Sequence, residues 1–136
     1  MTDADLVAKK LAFIETCVRE LRELARPDDI ERDVREQRFV AHTLQVAIQA
    51  ALDVASHIVA DDHLGEPDTN IQLFDLLARD GWLPEAMSAT MGRMAGFRNI
   101  VVHGYEAIDL KIVRDIVETR LNDFIDFASA IRSHME

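Results

Sequence analysis

Residues 31–60 read ERDVREQRFVAHTLQVAIQAALDVASHIVA, and the spacing of the apolar side chains in this stretch decides the fold class. Val40, Leu44, Ala47, Ile48, Ala51, Ala55, Ile58 and Val59 recur every three or four residues. That period lines them along one face of a helix, whereas on a strand they would scatter over both faces. The alanines in the stripe let a neighbouring helix approach closely. The helical pattern runs from Ile30 to Val59 with a break near Val34, and Asp28 or Asp29 is placed to cap it after a short turn.

The same period extends outward in both directions. Upstream, Leu6, Val7, Leu11, Ile14, Val18, Leu21, Leu24 and Ala25 predict a helix over about Asp5 to Arg26, which Pro27 stops. Cys17 lies beside that stripe as a small core residue. Downstream, Gly65, Pro67, Asp68 and Asn70 mark a loop. Thr69 or Asn70 would then cap a short helix through Ile71, Phe74, Leu77 and Ala78, ending at Asp80-Gly81. Trp82 and Leu83 are expected to pack inward. Pro84 opens a helix through Met87, Met91, Met94, Ala95, Phe97 and the run Ile100-Val101-Val102, whose β-branched side chains favour burial. Asp109 can cap a last helix with the stripe Ile112, Val113, Ile116, Val117, Leu121, Phe124, Ile125, Ala128 and Ile131. No strand alternation, internal repeat, glycine-rich phosphate loop or CxxC pair interrupts this pattern. The expectation is an all-α, up-and-down bundle of four to five helices, forming a single domain over residues 1–136. Several stripes are broad enough to leave apolar surface for a dimer.

Composition agrees. Of 136 residues 49% are hydrophobic, with five Gly and three Pro, as in a helical globule. No continuous apolar run of membrane length and no secretory leader is visible, so a cytoplasmic protein is expected. The single cysteine excludes an intramolecular disulfide. A net charge of −10 repels polyanions at long range and suits docking to a basic protein. Nucleic-acid contact would have to rest on a local cationic patch.

The chemistry-bearing stretch is Arg98-Asn99-Ile100-Val101-Val102-His103-Gly104-Tyr105. Arginine offers a permanent charge in a planar fork that matches phosphate oxygens, and histidine gives and takes protons near neutrality. On a straight helix Arg98 and His103 point about 140° apart, whereas Asn99 and His103 share a face. Arg98 and His103 therefore converge on one target in two ways. Either the helix ends between them, as Gly104 suggests, or a second copy of the chain supplies the missing group. A plainer reading has both residues capping a helix end and pairing with carboxylates in a non-catalytic dimeric interaction module.

The remaining polar clusters are read more plainly still. Arg32, Arg35 and Arg38 form either a solvated face paired with Asp33 and Glu36 or a phosphate-facing patch flanking the motif. His42 and His57 read as structural. Asp61-Asp62-His63 reads as an acidic helix end and loop and not as a metal site.

The motif Arg-x4-His-x-Tyr, written "RNIVVHGY" after "MGRMAGF", resembles the signature of the HEPN superfamily. With the helix of residues 31–60, the "FDLLARDGWLP" segment and the apolar helix after the motif, the chain is similar over most of its length to the HepT-like family, the toxin half of HepT/MntA toxin–antitoxin pairs. The resemblance implies a homodimer formed around the motif helix and acting as a metal-independent endoribonuclease on RNA, without a cofactor. It implies that Arg98 and His103 are catalytic and that Asn99 and Tyr105 support them. It further implies an MntA-like nucleotidyltransferase antitoxin that transfers AMP to Tyr105. The alternative is a non-catalytic helical module that binds the same partner.

Overall fold

The computed structural model describes residues 3–136, apart from the side chain of Tyr105, and it is the all-α bundle expected from the sequence. The first helix, α1, spans Ala4–Leu24 and is capped by Asp3, whose carboxylate accepts from the amides of Asp5 and Leu6. It ends two residues before the expected Arg26. Ala25 is extended, and Arg26 precedes Pro27, which disfavours the helical conformation at that position.

A 3₁₀ turn over Pro27–Asp29 follows, and α2 spans Val34–Asp61. Its cap is Asp33, not Asp28 or Asp29 as the sequence suggested. Asp28 and Asp29 are taken up in the 3₁₀ turn, the Asp33 amide closes onto the Asp29 carbonyl at 2.9 Å, and only then does the Asp33 carboxylate accept from Arg35 N–H at 2.9 Å. The expected break near Val34 is thus the start of the helix.

The short α3, Gln72–Arg79, also departs from expectation at its entry. Neither Thr69 nor Asn70 caps it through a side chain. Their backbone carbonyls accept from Gln72 and Leu73, and the Asn70 amide is turned toward the motif helix. The segment after α3 carries Gly81 at φ +84°, and then Trp82 and Leu83 turn inward as expected. The motif helix, α4, spans Glu85–His103 with Pro84 at its N-cap. A 3₁₀ turn over Tyr105–Ala107 leads to α5, Leu110–Asp115, which Asp109 caps. A π turn over Ile116–Arg120 joins α5 to α6, Leu121–Met135, as one continuous final helix.

The buried apolar side chains form one contiguous cluster with α2 at its centre, packed against α1, α3 and α4. By length and composition α2 is apolar enough to cross a bilayer, but most of it is buried in this core. The final helix buries Phe124, Phe127, Ala128 and Ile131, with the Phe127 ring edge-on to Phe74 at 5.8 Å. Ile112, placed in the apolar stripe by spacing, is instead 49% exposed, and Phe127 fills the core. Cys17 is fully enclosed, and burial pushes its thiol up to about 11, consistent with an inert core residue.

The outer ends of the bundle are tied by ion pairs. Arg132 on α6 donates twice to the Glu15 carboxylate on α1, both at 2.7 Å. The Arg132 hydrogen bonds hold the Glu15 carboxyl below its ordinary range. A depressed folded-state value makes this contribution complete above the ordinary glutamate range and lost as pH falls through the lower value. Because the pair is partly exposed, Glu15→Gln should cost no more than about 1 kcal/mol at neutral pH. The difference from wild type in urea unfolding should disappear once the medium is acidic enough to protonate Glu15. A difference that persists unchanged in acid would assign it to packing instead of charge.

Candidate functional site

The apolar side of α4 is laid down by Met91, Met94, Ala95, Phe97 and Val101, all buried against the rest of the bundle. The methionines are therefore core. Of the run Ile100-Val101-Val102, expected to be buried, only Val101 is. Ile100 is 47% and Val102 51% exposed, because at 3.6 residues per turn three consecutive residues cannot all face one side. Two apolar side chains thus stand in solvent beside the motif.

The helix runs unbroken through His103. Gly104 ends it, with φ +141° and ψ +144°, a conformation that L side chains rarely adopt, and its amide closes onto the Val101 carbonyl. No atom of the other described residues would obstruct a side chain at Gly104, and the backbone angle there calls for glycine. Of the two routes to convergence, a helix end between Arg98 and His103 is therefore ruled out. The two side chains leave α4 about 140° apart.

Arg98 is half-buried and held in place. Its Nη1 donates to Asn99 Oδ1 at 3.2 Å, while its Nε is buried without an acceptor among the described residues. Asn99 in turn forms a reciprocal amide pair with Asn70. Asn70 Nδ2 donates to Asn99 Oδ1 at 3.0 Å, and Asn99 Nδ2 donates to Asn70 Oδ1 at 3.3 Å. Asn99 shares a helix face with His103, but it hydrogen-bonds to Arg98 and Asn70, so it braces the arginine. Asn70 is the residue that sequence reasoning assigned elsewhere. Its pattern, an asparagine in a polar loop before a short helix, carries the ordinary signal of a cap and none of a contact 29 residues away.

His103 is exposed on the last residue of α4. It lines a surface pocket of about 410 Å³ together with Arg38, Gly104, Glu106 and Ala107. Of the three arginines on the N-terminal stretch of residues 31–60, Arg38 reaches this pocket. Arg32 instead pairs with Asp29, as a solvated-face residue does. The Tyr105 backbone opens the 3₁₀ turn after Gly104, and its side chain, assigned a supporting and modified role from the sequence, lies outside the described residues. A pocket of about 380 Å³ between α3 and α4, lined by Asp75, Arg79, Glu85 and Ser88, is nearly as large. Volume does not distinguish the two, but chemistry does: only the first brings an imidazole and a guanidinium together.

His42, His57 and His63 do not line this pocket. His42 is exposed on α2, and His63 follows the helix at φ +54°. His57 faces Asp61 one turn on at 3.1 Å, an i, i+4 pair not singled out in the sequence, and the same ring nitrogen lies 3.2 Å from the Asp3 amide. One nitrogen serves one of these partners at a time.

Residues 14–131 match the family model described as Ribonuclease HepT-like. The chain is 31% identical over 130 residues to an mRNA nuclease HepT of Shewanella oneidensis, covering 95% of this chain and 98% of that protein. It is 27% identical over 108 residues to a tRNA nuclease HepT of Aphanizomenon flos-aquae, covering 79% and 74%. Among solved structures it is similar to a tri-AMPylated Shewanella oneidensis HEPN toxin in complex with MNT antitoxin. There the TM-score is 0.88 at 30% identity, with 96% of this chain and 99% of that one covered.

Proposed function

This chain belongs to the HepT-like family, and on that premise we propose that it is a toxin acting as a metal-independent endoribonuclease in the cytosol. The observation that carries this reading is the placement of His103, solvent-facing at the end of α4 in a pocket that also holds a guanidinium. Such an imidazole can exchange a proton with substrate.

In the proposed reaction a ribose 2′-hydroxyl attacks the adjacent phosphorus. The new P–O2′ bond forms as the P–O5′ bond breaks, leaving a 2′,3′-cyclic phosphate and a 5′-hydroxyl. The proton lost by the 2′-oxygen and the proton gained by the 5′-oxygen pass through general acid–base groups, with His103 as one of them. Arg98 neutralises charge developing on the phosphate oxygens. Among the described residues its buried Nε finds no acceptor, a cost on the order of 1–3 kcal/mol that an anion reached by a small side-chain shift would relieve.

Since one helix aims Arg98 and His103 apart, the working cleft is composite. We assign it to a two-fold homodimer in which the ends of two α4 helices meet, with exposed Ile100 and Val102 beside the contact. Each phosphate then meets the arginine of one protomer and the histidine of the other.

The partner proposed for this chain is an MntA-like nucleotidyltransferase antitoxin, by likeness to the Shewanella oneidensis complex. It would transfer AMP to Tyr105, the only tyrosine in the chain. The adduct places a phosphate and a nucleoside next to Gly104 and Glu106, blocking RNA by occupancy and by repulsion.

Purified protein should cut RNA in EDTA and leave cyclic phosphate ends, and His103→Ala should lower the rate by roughly 10²–10⁴-fold. Equal cutting by the variant, or none by wild type under any RNA tested, would return the chain to a non-catalytic interaction module. Mass spectrometry of protein co-expressed with the nucleotidyltransferase should find adenylate on Tyr105. Adenylate confined to another residue would remove Tyr105 from this role.

A further inference from the structure

We propose that Arg38 is a second phosphate-binding residue of the site, gripping the RNA backbone beside His103 while Arg98 serves the phosphate that is cut. The proposal rests on the ribonuclease reading for the identity of its ligand, and on the pocket geometry for the residue. Within one chain the cation that shares a pocket with His103 is Arg38 and not Arg98. Arg98 leaves α4 about 140° away and is tied through Nη1 to the Asn99–Asn70 pair.

An anion entering this pocket meets unfavourable charge from several sides. Glu106 lines it, the last carbonyls of α4 present the negative end of the helix, and the whole chain carries −10. A cation inside the pocket is what allows phosphate to reside there. Arg38 supplies a fixed charge and a five-donor fork suited to phosphate oxygens. It also stands on a rigid base. It sits early in α2, two residues before Val40, which together with Ala41 and Leu44 is buried in the core, so its backbone is fixed while its side chain is exposed.

The test measures binding separately from cleavage, using a fluorescein-labelled mixed-sequence single-stranded RNA and fluorescence anisotropy across a salt series. All proteins carry His103→Ala so that the RNA stays intact. Adding Arg38→Ala should raise Kd several-fold and reduce the salt slope by about 0.7, the loss of one phosphate contact on a single strand. Arg38→Lys should keep the slope, and Arg35→Ala, which removes a nearby charge outside the pocket, should leave both quantities unchanged.

An unchanged Kd and slope in Arg38→Ala would overturn the proposal. So would an equal loss in Arg35→Ala, which would make the effect one of general charge, and so would the absence of measurable binding in all proteins. Cleavage by the wild-type protein is measured alongside. RNA held through Arg38 but never cut would defeat the ribonuclease reading and leave this assignment standing, whereas RNA cut normally with Arg38 dispensable would do the reverse.

Discussion

Burial of α2 positions the rest of the molecule. Its Val40, Leu44, Ile48, Ala51, Ala55 and Ile58 are almost wholly removed from solvent, and α1, α3 and α4 pack on it. Each of the buried Val, Leu and Ile side chains contributes roughly 1.5–3 kcal/mol, so the axis of α2 is not free to shift. Small residues at 47, 51 and 55 set how closely its neighbours approach. The consequence for function is indirect but definite. Because α4 is held against α2, the end of α4 carrying His103 arrives beside the first turns of α2 carrying Arg38.

A second constraint follows from helical geometry alone. An Arg-x4-His spacing on an unbroken helix turns the two side chains about 140° apart. Here Arg98 is turned toward the protein, braced by Asn99 and Asn70, while His103 is turned outward. A single copy of the chain therefore does not turn both side chains toward one target, which is the reason for proposing a composite cleft. Exposed Ile100 and Val102 on the same turn are apolar surface that a second copy would cover. On the proposed reading, activity would then depend on dimerisation.

Much of the fold was legible in the sequence because helical periodicity is a strong local signal. Leu11, Ile14, Val18, Leu44, Ile48, Phe124 and Ile131 were placed on core faces by spacing, and all are buried. The misreadings share a cause, which is competition between local partners. Asp28, Asp29 and Asp33 are all acceptable caps, and which one serves depends on the 3₁₀ turn between them. Asn70 carries the composition of a cap, yet it spends its amide on Asn99, a tertiary contact with no local signature. Ile112 and Phe127 lie on either side of a π turn that spacing rules do not anticipate. In the site, the residue types in the motif could be read directly, and the unbroken helix through His103 could not, because glycine at 104 is compatible with an earlier end. Arg38 was one of three candidate arginines, and only the packing of α4 on α2 separates it from Arg32 and Arg35.

The composite cleft is the centre of this account, and subunit complementation tests it most directly. Arg98→Ala and His103→Ala proteins are each prepared, confirmed to be inactive on RNA, then mixed under conditions that allow protomers to exchange. A mixed dimer contains one cleft with both groups intact, supplied by different chains, so cleavage should return on mixing. If the mixture stays as inactive as its components although mixed dimers have formed, Arg98 and His103 must act from the same chain, and the composite cleft is wrong.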